Sequence, residues 1–381
     1  MERVNLDGEE IIPLTICLIG GGGFIGSHLC EKLMADTSHK AIVFDNHSDK
    51  INHLLDQSSP WRDRIEFHKI NITNNSRFET PIKASDLTIN LDAICSPYQF
   101  KWEPLDTIRD NFLDAIQVVK YCTESKKRLI HFSTCEVYGK TVSSFLPKDR
   151  DLRQDPEFYL LKEDASPCIF GPVIEKHRWS YACAEQMMES LIYAEDAEHG
   201  LDFTVVRPFN WIGPRMDFNP RVDGDGVPRV FDCFNNYLLR GEKLELVGGG
   251  KSLRTFCYIK DAIEAVLLMI ENPKRANGQI FNVGNPDNEV TVKQLAEMMT
   301  EVYAKVAGKS APGSSTTDVS SKVSYGEGYD DSDKLIPDMT IISKQLGWKP
   351  KTSLQDLLEI TLSYEHQNYS KSIKKALCEI R

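Results

Sequence analysis

A tyrosine and a glutamate four residues apart stand in the segment Arg178-Trp179-Ser180-Tyr181-Ala182-Cys183-Ala184-Glu185-Gln186. On a helix that spacing puts Tyr181 and Glu185 on one face. A phenol can give or take a proton, and the charge beside it decides which happens near neutral pH. At ~4 Å and an effective dielectric of ~20, a unit charge acts on a phenolate with roughly 4 kcal/mol. Each pKa unit is about 1.4 kcal/mol. A carboxylate at position 185 therefore predicts a phenol that stays protonated near neutral pH.

A second constellation lies near the start of the chain. The apolar run Leu14-Thr15-Ile16-Cys17-Leu18-Ile19 leads into Gly20-Gly21-Gly22-Gly23-Phe24-Ile25-Gly26, and a helix is expected from about Ser27 to Met34. Gly20, Gly23 and Gly26, with Phe24 and Ile25 between them, let backbone amides approach a pyrophosphate at a positive helix N-terminus. The next strand, Ala41 to Phe44, ends in Asp45, nineteen residues after Gly26. A carboxylate there accepts from ribose hydroxyls and repels a 2′-phosphate, which selects NAD over NADP.

These groups need elements to position them. A third strand is read over Arg64 to Ile70, with Asn71-Ile72 after it as the adenine contact. The fourth, Asp86 to Leu91, opens into Asp92-Ala93-Ile94-Cys95-Ser96-Pro97, a loop expected under the cofactor. One helix is expected from Pro104 to Lys120, then a fifth strand, Arg128 to Ser133, delivering Thr134, Cys135 and Glu136 at its carboxyl end. Open parallel sheets bind their ligands at that end. The segment Tyr138 to Glu175 reads as irregular, and a loop of that length inside a compact domain is functional or a lid. The Tyr181 helix and a strand at Phe203 to Arg207 follow, then a turn-rich loop at Asn219 to Gly226. Beyond lie a helix from Asp261, a final strand at Gln279 to Val283 and an amphipathic helix over Thr291 to Ala307. A Ser/Gly/Asp-rich loop from Lys309 to Lys334 and two short helices close the chain.

Composition limits the partners. A net charge of −11 argues against nucleic acid or an anionic membrane surface. The longest apolar run, Ala265 to Ile270, is far too short to span a bilayer, and the polar N-terminus does not resemble a signal peptide. Ten cysteines without paired spacing read as free thiols in a reducing, cytoplasmic compartment.

Three stretches carry a resemblance: His131-Phe132-Ser133-Thr134-Cys135-Glu136-Val137-Tyr138-Gly139, Trp179-Ser180-Tyr181-Ala182-Cys183, and Arg207-Pro208-Phe209-Asn210-Trp211-Ile212-Gly213-Pro214-Arg215-Met216-Asp217. With them the chain resembles the extended short-chain dehydrogenase/reductase family of NAD-dependent nucleotide-sugar enzymes, over nearly its whole length. Within that family it is most similar to the branch that turns UDP-glucuronate into UDP-apiose and UDP-xylose. The resemblance implies an α/β fold, a Rossmann-like doubly wound parallel sheet with a smaller C-terminal α/β substrate domain. The cofactor domain would be residues 11–208 with a returning segment 255–284, and the UDP-sugar domain 209–254 and 285–370. It implies a homodimer through helices near residues 104–120 and 176–195.

The resemblance also implies roles. Tyr181 would be the base at the sugar C4 hydroxyl, with Thr134 bonding the same oxygen and Glu136 acting as an acid/base beside the sugar. Arg178 and Arg254 would grip a carboxylate or pyrophosphate, Arg229 the pyrophosphate, and Asn210 the nucleotide. Cys95 and Cys135 match a thiol pair tied to ring contraction. No metal is implied.

Three positions depart from the family pattern. Glu185 replaces a lysine whose cation lowers the phenol pKa, Phe100 replaces a substrate-contacting tyrosine, and Asp92 replaces an alanine in the loop under the cofactor. Three outcomes therefore stay open: a synthase making both products, an enzyme giving UDP-xylose only, and a paralogue that binds NAD and UDP-sugar without turnover. An epimerase or dehydratase acting on another UDP-sugar is a further, weaker reading.

Overall fold

A computed structural model describes residues 3–70, 76–147, 151–171, 179–216, 229–308, 316–320, 332 and 334–379. Its strands in chain order begin with β1 (Thr15–Ile19), β2 (Lys40–Asp45), β3 (Ile65–Lys69), β4 (Leu87–Asn90) and β5 (Arg128–Phe132). Then come β6 (Leu160–Leu161), β7 (Phe203–Pro208), β8 (Trp211–Ile212), β9 (Leu244–Val247) and β10 (Leu253–Thr255). The last five are β11 (Cys257–Tyr258), β12 (Gln279–Val283), β13 (Glu289–Thr291), β14 (Thr316–Val319) and β15 (Lys334–Pro337).

Seven of them form one parallel sheet in the order β12-β7-β5-β4-β1-β2-β3. Alternate residues of its strands supply two separate cores. Ile16, Leu18, Ile130 and Val206 pack on one face, while Cys17, Ile19, Leu129 and Val205 pack on the other. A sheet covered on both faces needs such near-continuous apolar strands, and parallel connections put the helices there. The expected Rossmann-like sheet is thus present, with residues 279–283 returning to its edge beside β7.

The smaller region is built on the mixed sheet β13-β10-β15-β6 and two parallel pairs, β8 with β11 and β9 with β14. Gln279 to Val283 is therefore not the final strand. Three strands follow it, each only three or four residues long and paired with a neighbour from another part of the chain. The closing helices also differ from expectation. Thr340–Leu346 is short, but Leu354–Glu379 runs for 26 residues. Leu357, Leu358 and Leu362 anchor the start of the second one in the core.

The helix expected over Pro104 to Lys120 is broken. A helical turn at Pro104–Ile108 passes through a π-helical turn at Arg109–Asp114 and resumes as Ile116–Glu124. Wide turns of this kind are frequent at functional sites, and this one carries Asn111 inward, buried to 1% exposure. The helix after the glycine turn begins at Phe24, three residues earlier than expected, and ends at Asp36, two later.

The N-terminal segment is strapped to the far half of the chain. Arg3 pairs with Glu271, Arg275 with Asp7 and Lys274 with Glu9, and the Leu6 amide donates to Asn272 Oδ1 at 2.7 Å.

Candidate active site

The glycine turn is shaped for close approach. Gly20 has φ +75°, and a Cβ there would lie 2.7 Å from the Asp92 amide nitrogen. A Cβ on Gly22 would meet the His47 carbonyl oxygen at 2.1 Å, and one on Gly26 would meet Gly21 backbone at 2.5 Å. At Gly23 an added Cβ would have only the Gly20 oxygen, at 3.5 Å. That open position caps the Phe24–Asp36 helix, which has no side-chain cap and no acidic residue in its first turn. Its amides are thus available to an anion. Asp45 is held at the carboxyl end of β2 by the Gly22 and His47 amides, each donating at 2.9 Å. Turn, helix end and carboxylate together fit a dinucleotide. Sequence reasoning passed over Gly22, although the run of four glycines was its signal. Asn71 and Ile72 lie outside the described residues.

Asp92 is the discordant group. Burial first, then the charges of Asp45, Asp110, Asp114 and Glu185, push its carboxyl up to about 7. A carboxylate on the strand-end loop against the glycine turn has to ionise among other carboxylates.

Tyr181 sits in the first turn of the helix Trp179–His199 and is buried. Its hydroxyl is hydrogen-bonded to Thr134, which favours the ionised form. Burial, Glu185, Cys95 and Glu136 outweigh that bond and hold the phenol well above its ordinary value. Thr134 also caps the turn at Cys135–Tyr138, accepting from the Glu136 amide at 3.2 Å. One strand end thereby orients Thr134, Cys135 and Glu136 together. Phe100 lies flat on Tyr181, with ring centroids 4.3 Å apart and planes 6° from parallel. Cys95 is exposed and Cys135 buried.

Glu185 is buried to 1% exposure one turn beyond Tyr181. Asn111 Nδ2 donates to its Oε1 at 2.9 Å, and His131 Nε2 lies 3.5 Å from its Oε2. Burial raises the Glu185 carboxyl, while His131 and Asn111 oppose that rise. The Asn111 amide orientation is fixed by the backbone, because Ile94 N–H donates to Oδ1 at 2.9 Å and Nδ2 donates to Ile94 O at 3.0 Å. Behind His131, Asn90 Nδ2 lies 3.4 Å from Nδ1, and Asn90 Oδ1 accepts from the Asp92 amide at 3.3 Å. Asn90, Asn111 and His131 were not legible as site residues. Their types are ordinary in a strand or helix, and only the fold gathers them round Glu185.

The expected arginines are spread more widely. Arg254, on β10, is buried and donates to its own strand's Leu253 carbonyl at 2.8 Å. Arg229 is half-buried just before the helix Val230–Arg240. Asn210 has φ +39° and donates through Nδ2 to Thr255 O at 3.0 Å. Arg178 lies outside the described residues, as does the Asn219 to Gly226 loop. Within the sequence taken as irregular, Leu160–Leu161 forms β6, and Glu163 Oε1 accepts from the Asn282 amide at 2.8 Å. That bond ties the segment to the edge of the main sheet.

A buried hydroxyl pair at the carboxyl end of β5, beside a turn that fits a dinucleotide, is the furniture of hydride chemistry on an alcohol or ketone. Residues 16–284 match the model of the NAD dependent epimerase/dehydratase family. The chain belongs to this family. Among its relatives is UDP-D-apiose/UDP-D-xylose synthase 2 of Arabidopsis thaliana, 70% identical over 98% of this chain and 97% of that protein. The UDP-D-apiose/UDP-D-xylose synthase of Oryza sativa subsp. japonica is 67% identical over 99% of this chain and 95% of the other. The PbgP3 protein from Burkholderia pseudomallei, a solved structure, is 29% identical with a TM-score of 0.78, covering 96% of this chain and 99% of its own. Membership in an NAD-dependent family agrees with the cofactor read from Asp45.

Proposed function

We propose that this chain converts UDP-glucuronate into UDP-xylose and UDP-apiose without net redox change, using bound NAD. The observation that carries the reading is the full-length similarity to two plant synthases of that name, joined to the intact set Thr134, Cys135, Glu136 and Tyr181 at one strand end. When bound, NAD would supply the acceptor for the C4 hydride and its return to the sugar. A ketone at C4 lies one carbon from the carbon bearing the carboxylate, so it serves as the electron sink when CO2 leaves.

In this reading Tyr181 and Thr134 share the C4 oxygen, the phenol taking and returning the hydroxyl proton. Glu136 serves as an acid/base beside the sugar, and Cys95 and Cys135 serve the ring-contracting branch. Arg178 and Arg254 recognise the carboxylate or pyrophosphate, Arg229 the pyrophosphate and Asn210 the nucleotide, while Phe100 lines the sugar pocket. Gly20, Gly23, Phe24, Ile25, Gly26, Asp45, Asn71 and Ile72 hold the cofactor. Residues 11–208 with 255–284 form the cofactor domain, and 209–254 with 285–370 the UDP-sugar domain.

The protonated phenol makes turnover slow near neutral pH. Incubation with UDP-glucuronate and NAD+, following CO2 and the sugar products, tests the reading. CO2 with both pentose products supports it. CO2 with UDP-xylose alone means a simple decarboxylase. No CO2 from a protein that still binds NAD and UDP-glucuronate means a binding protein.

We also read the assembly as a homodimer in the cytoplasm. Trp102 at the end of the preceding helix Pro97–Trp102, Leu105 and Leu113 in the interrupted helical stretch and Met187 on the Tyr181 helix are all more than half exposed, at 60, 75, 53 and 54%. Apolar side chains gathered on adjoining helices favour a partner copy. Light scattering that gives a monomer at micromolar concentration removes the dimer. Nine of the cysteines in the described residues form no disulfide, as in a reducing compartment. Among the described residues no helix is long and apolar enough to cross a membrane.

A further inference from the structure

We infer that Glu185 and Asp92 make this chain hold its dinucleotide in the oxidised state, binding NAD+ in preference to NADH. The inference rests on the proposed cofactor site and adds to it a choice between redox forms. The two forms differ by one positive charge, carried on the nicotinamide of NAD+ and absent after hydride uptake. Hydride passes at the sugar carbon whose hydroxyl Tyr181 serves, so that charge appears and disappears at the Tyr181 reaction centre. The Glu185 carboxylate acts on this centre already, since its charge is among those that raise the Tyr181 phenol.

Burial raises the Glu185 carboxyl, and His131 and Asn111 pull it back toward the anion. Asn111 can offer it only a donor, because both ends of its amide are locked on the Ile94 backbone. His131 faces its second oxygen at 3.5 Å, and Asn90 lies against the other ring nitrogen. An Asn90 N–H given to Nδ1 leaves the imidazole proton on Nε2, pointing at the carboxylate. Asp92 adds a second carboxyl, near enough to Glu185 to be raised by its charge, its backbone against Gly20. Asp45, Asp110 and Asp114 extend the same sign. Three elements other than its own face Glu185, bringing His131, Asn111 and Asp92. On its own helix the charged neighbour is Glu189, which is paired with Arg207.

The sign of the effect is fixed. A carboxylate stabilises the cation and gains nothing from the neutral dihydronicotinamide, so bound reduced cofactor becomes the stronger hydride donor. A keto sugar formed in the site would be re-reduced before it could leave.

The protein is equilibrated at pH 8 with equal, saturating NAD+ and NADH, freed of unbound cofactor and denatured, and the released forms are quantified. NAD+ should exceed NADH by more than about tenfold. Glu185→Gln, which keeps an oxygen for Asn111, should lower the ratio by roughly tenfold. Asp92→Asn, an independent variant, should lower it by a smaller factor. A wild-type ratio at or below one overturns the inference, as does a ratio unchanged in both variants while both forms still bind. Loss of all cofactor from the wild-type protein overturns the cofactor site itself, and the inference with it.

Discussion

Asn111, on a π-helical turn, gives one amide proton to the Ile94 carbonyl and the other to Glu185 Oε1, at 3.0 and 2.9 Å. One side chain thereby joins the loop after β4 to the carboxylate one turn beyond Tyr181. The charge at position 185 is thus fixed in place.

Replacing that charge is the most direct test of its effect on the phenol. Glu185→Lys removes a repulsion and adds an attraction, each worth up to a few kcal/mol at short range. We expect kcat on UDP-glucuronate at pH 7.5 to rise by at least ~100-fold with little change in KM. Unchanged turnover in a variant that folds and binds NAD would mean the chemistry is limited elsewhere.

The pH profile carries the same information without a mutation. Tyr181 must lose a proton to act as a base, and its phenol lies above its ordinary value. Initial rates should therefore climb about tenfold per pH unit below that raised pKa, with no plateau near neutrality. In Glu185→Gln the climb should level at lower pH. A flat profile between pH 7 and 9 would exclude Tyr181 as the rate-limiting base.

Asp92 makes a prediction about stability. Its carboxyl rises from an ordinary aspartate value to about 7 in the fold. The native state therefore holds a proton that the unfolded chain has released, and stability falls as pH rises from about 4 to about 7. Above that window the ionised group is a constant penalty. Asp92→Ala should gain of order 2 kcal/mol in urea at pH 8 and much less at pH 5. An equal gain at both values would place the effect in packing and leave ionisation out of it.

Breaking the Asn111 contact should cost more than an ordinary hydrogen bond. Asn111→Ala leaves a buried carboxylate one donor short, a loss of about 2–3 kcal/mol. In a Glu185→Leu background the same change should cost much less. Chemical denaturation of the double-mutant cycle measures the difference, and additivity would mean that the two side chains do not interact.

Phe100→Tyr tests the third departure from the family pattern. Phe100 is buried against Tyr181, so the added hydroxyl should cost about 1–3 kcal/mol of stability if it finds no hydrogen-bond partner and little if it does. A lowered KM for UDP-glucuronate would show the added hydroxyl reaching the sugar.

The fold was largely legible because its signals are local. Apolar runs such as Thr15–Ile19 ending at a glycine turn, and Arg128–Phe132 ending at Ser133-Thr134, announce parallel strands and the end at which they work. Tyr181 and Glu185 were legible through helical spacing. The network round Glu185 was not, because Asn90, Asn111 and His131 come from three separate elements and share no period. The π turn escaped for a related reason: residues 109–114 have helical composition, and the bonds Asn111 makes within them reach the distant Ile94 and Glu185. The strands after residue 283 are short and pair with distant partners, so alternation had too few residues in which to show.

The return of β12 to the edge beside β7 bears on how the chain is made. Phe203 to Arg207 are buried on both faces, so until residues 279–283 arrive that edge is open to any other strand. The Arg3–Asp7 strap waits on the same stretch, since Glu271, Asn272 and Arg275 leave the ribosome some 265 residues after it. Residues 3–7 are thus made long before the stretch they dock on. A nascent chain stopped before about residue 284 should carry a loose N-terminus and a sticky sheet edge together, and both should vanish once β12 is in place.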